Sequence, residues 1–196
     1  MESSFFALMA RARYIRRWGL MRNTVEESIS EHSFMTALLA HSLAVIRRDV
    51  FGGEADPERC AAFALFHDAS EIITGDLPTP VKYANPEILD AYKKIEGLAS
   101  ERLGAMLPEE LRAAYAGVFG EGPAGVRELV KAADKLSAYI KCVEELTAGN
   151  GEFRSAEKQI RGALDALGMP EIDYFIKTFM PAFGMTLDEL TMGDNR

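Results

Sequence analysis

The stretch ALFHDASEIITGDLPTP, Ala64 to Pro80, places His67, Asp68 and Glu71 in an apolar helical run that stops in a Gly/Pro-rich loop. A buried imidazole or carboxylate is costly, by roughly 2–7 kcal/mol for a neutral polar group and more for a charge, unless it is paired, hydrogen-bonded or bound to a metal. Neighbours on a helix diverge by about 100°, so His67 and Asp68 can both reach an ion lying over the edge between them. Glu71 stands one turn further along the same face, where a carboxylate can reach water beside such an ion without itself binding the ion. The chemistry this local pattern suits is metal-assisted hydrolysis.

The chain has three histidines. His32 lies in the first turn of the helical run SISEHSFMTALLAHSLAV, where a polar side chain can face a cavity at the end of a bundle. His41 lies nine residues later on the opposite side of that helix and reads as a core or surface histidine satisfied by a neighbour. Asp134 sits in LVKAADKLSAYIKC among small apolar residues; it either pairs at the surface with Lys131 or Lys135 or faces inward and needs a partner there. His32, His67, Asp68 and Asp134 together would offer two nitrogens and two oxygens. That mixed set suits one divalent transition ion (Mn, Fe, Co, Ni, Cu or Zn) with room left for water and substrate.

Helices must position these groups. Apolar residues recur at helical spacing nearly throughout and alternating runs of strand type are absent, which predicts an all-α fold. Helices are expected at about 3 to 17, 30 to 49, 57 to 74, 85 to 106, 109 to 117, 124 to 148, 153 to 167 and 171 to 182, with ends uncertain by two to four residues. Ser30 is the expected N-cap of the His32 helix, Pro57 the first residue of the next after Asp56, and Gly75 an αL stop. Short connections, without repeats or a low-complexity tract, predict a single domain over residues 1–196.

A formal net charge of -8 and a pI near 5.0 argue against a nucleic-acid polymer or an acidic membrane as partner, while the basic cluster RARYIRR can still hold a small anion. Cys60 and Cys142 lie in apolar helical contexts and read as core thiols of a reducing compartment, with no disulfide. The N-terminus lacks a basic n-region and a cleavage pattern, and no run approaches the ~20 uninterrupted apolar residues of a membrane span, so a cytoplasmic location is expected.

The segments RRWGLMRN, SEHSF, FHDASEIITGDLPTPVKY, KAADKLSAYIKCVEEL and LDEL extend this pattern over nearly the whole chain. They resemble the bacterial YfbR-type 5′-deoxynucleotidases of the HD-domain metallophosphohydrolase superfamily. The resemblance implies an HD-domain helical bundle and a homodimer. It also implies hydrolysis of deoxyribonucleoside 5′-monophosphates to deoxynucleoside and phosphate with a divalent metal, cobalt favoured. The family's metal ligands fall on His32, His67, Asp68 and Asp134, and its catalytic glutamate on Glu71. Its phosphate-orienting arginine falls on Arg17, the neighbouring tryptophan close to the sugar on Trp18, and its nucleotide-lining loop on Asp76, Leu77, Pro78 and Thr79. His32, Asp68 and Asp134 would border the substrate as well, and either Glu71 or Asp76 would pass a proton to the leaving 5′ oxygen. Against triphosphate or binuclear HD enzymes stand the small size, the scarcity of basic residues outside Arg11 to Arg22 and the absence of a second histidine cluster.

Overall fold

The computed structural model describes residues 2–119 and 122–191, and among them there is no strand, only an isolated bridge between Arg16 and Ser28. The helices are α1 (Phe5–Met9), α2 (Ile29–Val45), α3 (Pro57–Phe66), α4 (Glu71–Thr74), α5 (Thr79–Lys82), α6 (Pro86–Ala105), α7 (Glu109–Phe119), α8 (Ala124–Thr147), α9 (Arg154–Asp165), α10 (Pro170–Thr178) and α11 (Leu187–Thr191). The all-α expectation is borne out.

Helix α2 packs against both α3 and α8, and that trio holds the main core. Its buried side chains combine small ones, Ala37, Ala40 and Ala44 on α2, Cys60 and Ala64 on α3, Ala132 and Ala133 on α8, with larger ones such as Leu43, Phe63 and Leu136. Small contact residues draw helix axes together. Both cysteines are buried and free, and burial lifts their thiols to about 11 (Cys60) and about 12 (Cys142), as suits packing residues. A second cluster, Phe5, Ala69, Leu103 and Leu107 with Phe66, Tyr115 and Phe119 against it, ties the N-terminus to α6 and α7.

The local differences from the sequence reading have identifiable causes. The first helix ends at Met9, tightens into a 3₁₀ turn to Tyr14, and leaves residues 15 to 28 as a looped segment rather than helix to 17. The N-cap of α2 is Ser28, not Ser30: its hydroxyl accepts from the Glu31 amide and the Glu31 carboxylate returns to the Ser28 amide, a complete capping box. The helix expected over 57 to 74 is broken, because the amides of His67, Ala69, Glu71 and Ile72 bond carbonyls three residues back. That tightened turn separates α3 from α4. Pro57 follows the Asp56 cap as expected. Gly75 does stop α4 with φ 76, but its ψ of 162 lies outside the αL well, so the chain leaves extended.

Helix α2 with its π-turn extension, Ile29–Val50, has the length and hydropathy of a membrane span after all, yet about half of it is buried inside the bundle. In the segment 174–183, Phe175 and Met180 are core residues and Phe183 packs half-buried against them, while Tyr174 and Phe179 are exposed.

The 15–28 segment is anchored by a buried ion pair. Glu145 accepts from the amides of Thr24 and Val25, from Asn150 Nδ2 and from Lys141 Nζ, which also donates to the Val25 carbonyl. Removing one partner strands the other's charge. Glu145→Ala is expected to cost about 3–5 kcal/mol in urea unfolding, with loss of hydrogen-exchange protection at the Thr24 and Val25 amides.

Candidate metal and phosphate site

The capping box fixes the start of α2 so that His32, four residues past the cap, turns into the interior with none of its surface exposed. Its Nδ1 lies 3.2 Å from Ser137 Oγ on α8, and its Nε2 lies 3.1 Å from Asp134 Oδ1 and 3.6 Å from Asp68 Oδ2. The tight turn after α3 brings His67 and Asp68 to the same point, with Nε2 and Oδ2 3.1 Å apart, and His67 Nε2 is 4.0 Å from Asp134 Oδ1. Asp134 therefore faces this cluster, one turn before Ser137, rather than pairing with Lys131 or Lys135. His41 stays apart from it, half-buried and without a hydrogen-bond partner among the described residues.

The donor chemistry fits a metal ion. His67 Nδ1 stands 2.6 Å from the Ala64 carbonyl, which can only accept, so Nδ1 carries the proton and the neutral ring presents a bare Nε2. That buried Nε2 has no hydrogen-bond partner. Ligating atoms bound at about 2.0–2.2 Å around one ion stand roughly 3–4 Å from one another, the range spanned by the separations here. One ligand atom each from His32, His67 and Asp68 already lie within 4.8 Å of one another.

The electrostatics point the same way. Burial disfavours a charged His67, but Asp68 and Asp134 outweigh it and lift the imidazole to about 9. The field that draws a proton to Nε2 would draw a cation there too. Burial likewise opposes ionisation of Asp68 and Asp134; the two histidines, with Arg17 at Asp68, nevertheless hold both carboxyls below the usual range.

Of the basic cluster only Arg17 turns inward; Arg16 pairs with Glu26, and Arg11 lies over Tyr14. Arg17 Nη1 donates to Asp68 Oδ2 at 3.2 Å, and Arg17 Nε to Glu27 Oε2 at 3.1 Å. Burial works against its charge, but Asp68, Asp134, Glu27 and Asp76 more than compensate. Trp18 lies beside it, its Nε1–H donating to the same Glu27 oxygen at 3.0 Å.

Glu71 is 6% exposed and its Oε2 has no partner. Burial, then Asp68 and Asp76, push its carboxyl up to about 9 against the pull of Arg17 and Lys82. Asp76 is raised as well, chiefly by burial, with Arg17 opposing. Leu77 and Pro78 are half-buried in the loop that follows Gly75, and Thr79 is exposed where α5 begins; no bond joins these three to the cluster. Lys82 is tied to Glu96 at 2.9 Å and lies 4.7 Å over the Tyr92 ring. Sequence reading missed Glu27 and Ser137. Ser137 had a signal, its position one turn after Asp134, whereas Glu27 is joined to Arg17 only by the folding-back of a loop.

The raised Glu71 value carries a stability consequence. Between its ordinary 4.5 and about 9 the folded protein keeps the proton while the unfolded chain ionises. Stability is therefore present in full below that window and is lost as pH rises through it. Glu71→Gln is neutral at every pH, so in the presence of chelator it is expected to melt above the wild type near pH 8 and close to it near pH 4.5, as read by thermal unfolding.

The 5′-deoxynucleotidase of Erwinia tasmaniensis is 50% identical over 192 residues, covering 97% of both chains. That of Vibrio atlanticus is 48% identical over 192 residues, covering 97% of this chain and 99% of its own. Among solved structures, an HD-domain phosphohydrolase from Listeria innocua superposes with a TM-score of 0.80 at 23% identity over 92% of this chain and 88% of that one. The cyanophage S-2L HD phosphohydrolase DatZ, bound to dA and one catalytic Zn2+ ion, does so with a TM-score of 0.59 at 24% identity over 89% and 95%. Both share the HD fold. The model of the "5'-deoxynucleotidase YfbR-like" family matches residues 4–183, and the chain belongs to that family.

Proposed function

We propose that this protein is a metal-dependent 5′-deoxynucleotidase that releases inorganic phosphate from deoxyribonucleoside 5′-monophosphates. The observation that carries the reading is the convergence of His67 Nε2, which makes no aligned hydrogen bond, with His32, Asp68 and Asp134 beside the inward-turned Arg17. Those four residues are the ligands of one divalent ion; the resemblance favours cobalt, and the zinc of the phage neighbour marks zinc as a second choice. When bound, the ion supplies charge for the phosphate oxygens and a lowered pKa for the attacking water.

The protein's own residues do the rest. With Nε and part of Nη1 engaged by Glu27 and Asp68, Arg17 offers its remaining Nη hydrogens to phosphate oxygens, fixing the ester for in-line displacement. Glu71, neutral in its buried pocket, holds the proton that the leaving 5′ oxygen needs, a role for which a carboxyl raised to about 9 is suited and the more accessible Asp76 less so. Trp18 forms the wall against the sugar C2′, where a ribose hydroxyl would be crowded and unpaired at a cost of about 1–3 kcal/mol. Asp76, Leu77, Pro78 and Thr79 line the nucleotide, with Pro78 and Pro80 stiffening the loop. His32, Asp68 and Asp134 border the substrate from the metal side.

The described helices act as one domain in this reading, the enzyme works in the cytoplasm, and it assembles as a homodimer. Phe34 and Leu38, one turn apart on α2 and 64% and 52% exposed, give an apolar surface on which a second copy can pack. Light scattering after size exclusion is expected to return twice the mass of the chain.

The decisive assay is phosphate release from matched deoxy- and ribonucleoside 5′-monophosphates, with a deoxynucleoside triphosphate alongside, after chelation and after adding back Co, Mn, Zn or Mg singly. Metal-restored activity confined to the deoxy monophosphates is expected. Activity on triphosphates would move the protein to another HD class, and silence with every metal would overturn the reading. In the same assay Asp68→Ala loses both metal and turnover, whereas Glu71→Ala keeps stoichiometric metal and loses most of its turnover.

A further inference from the structure

We infer that Glu27 is a positioning residue that uses one carboxylate oxygen to set both the phosphate grip of Arg17 and the sugar wall of Trp18, an inference that rests on the function proposed above. Arg17 Nε and Trp18 Nε1 donate to the same atom, Glu27 Oε2, at 3.1 Å and 3.0 Å. The arrangement is built into the loop between α1 and α2. The Ile29 amide donates to the Ile15 carbonyl and the Arg17 amide to the Glu27 carbonyl, so the two arms of the loop run antiparallel and set Glu27 opposite Arg17.

In an extended chain Arg17 and Trp18 would point to opposite faces. Trp18 breaks that alternation with a φ of 57, the only positive φ at a non-glycine residue among those described. A left-handed tryptophan is disfavoured sterically and persists because its surroundings over-determine it. The Trp18 carbonyl accepts from the Met21 amide and from Asn23 Nδ2, and the indole packs 5.3 Å from the Phe153 ring. The turn brings the indole N–H round to the oxygen that already holds the guanidinium.

Rotation of the guanidinium about its own stem is what Glu27 controls. With Nε held, Nη1 meets Asp68 through one hydrogen bond and the far edge of the fork stays presented. Without Glu27, Arg17 is free to close bidentately on Asp68, the preferred guanidinium–carboxylate geometry, and to withdraw from a substrate phosphate. The indole loses its polar anchor at the same moment. Phosphate orientation and sugar discrimination are thus coupled through one side chain that contacts neither.

Both bonds end on one oxygen, which separates this role from simple loop stability. The amide oxygen of Glu27→Gln can accept both donors; Glu27→Ala accepts neither. Full-length, metal-loaded enzyme would be assayed on deoxyadenosine and adenosine 5′-monophosphates, with emission and acrylamide quenching of Trp18, the sole tryptophan, recorded alongside. Glu27→Ala is expected to lower kcat and the deoxy-to-ribo ratio of kcat/KM by roughly tenfold each, with red-shifted, more quenchable emission. Glu27→Gln should return the emission and the ratio most of the way. If Glu27→Ala does not fold, Glu27→Met, which keeps the bulk without an acceptor, is read in its place. Unchanged emission and sugar ratio in the acceptor-free variant, or equal defects in the glutamine variant, would overturn the inference. Should the wild type hydrolyse neither nucleotide, the proposed function falls, while the emission of the glutamine and acceptor-free variants still decides whether Glu27 holds Trp18.

Discussion

Everything in this bundle answers to the cost of gathering two imidazoles, several carboxylates and a guanidinium at the meeting point of three helices. Such groups are tolerated inside a protein only when each charge and lone pair is matched. Arg17 matches part of the negative charge of Asp68, Ser137 and the Ala64 carbonyl match the outer nitrogens of the histidines, and the inner nitrogen of His67 has the Asp68 carboxylate beside it but no aligned hydrogen bond. A dication is the species that completes the set.

The acidic groups fall into two kinds although they crowd one site. Asp68 and Asp134 are held below the usual carboxylate range by the imidazoles and, at Asp68, by Arg17, whereas burial and the neighbouring Asp68 and Asp76 raise Glu71 despite Arg17 and Lys82. A hydrolase needs both kinds. Environments that push neighbouring carboxyls apart in acidity are the structural mark of a division between holding an ion and moving a proton.

Much of this was legible in the sequence, for reasons that differ from residue to residue. The His67, Asp68 and Glu71 spacing is local, so their nearness was legible although a tightened turn rather than one α-helix relates them, whereas the small residues around Asp134 left open whether it paired at the surface or turned inward. The cap of α2 was placed two residues late, at Ser30, whereas Glu31 standing three residues after Ser28 completes a capping box there. The break after Phe66 was not legible, because a shift from four-residue to three-residue bonding leaves the apolar periodicity nearly intact over one turn. Glu27 was invisible for a different reason: nothing in its neighbours announces that a loop will fold back and lay it against Arg17.

Gly75 divides the site into two parts with separate fates. Upstream of it the backbone is wound tightly around His67, Asp68 and the buried Glu71; downstream it leaves in an extended direction that a side chain would resist, into a proline-stiffened loop with no bond to the cluster. A hinge of this kind uncouples inheritance. The loop can accumulate changes without disturbing the tight turn that keeps His67, Asp68 and Glu71 together, a partition that lets one helical scaffold vary on one side of a glycine while the other side stays fixed.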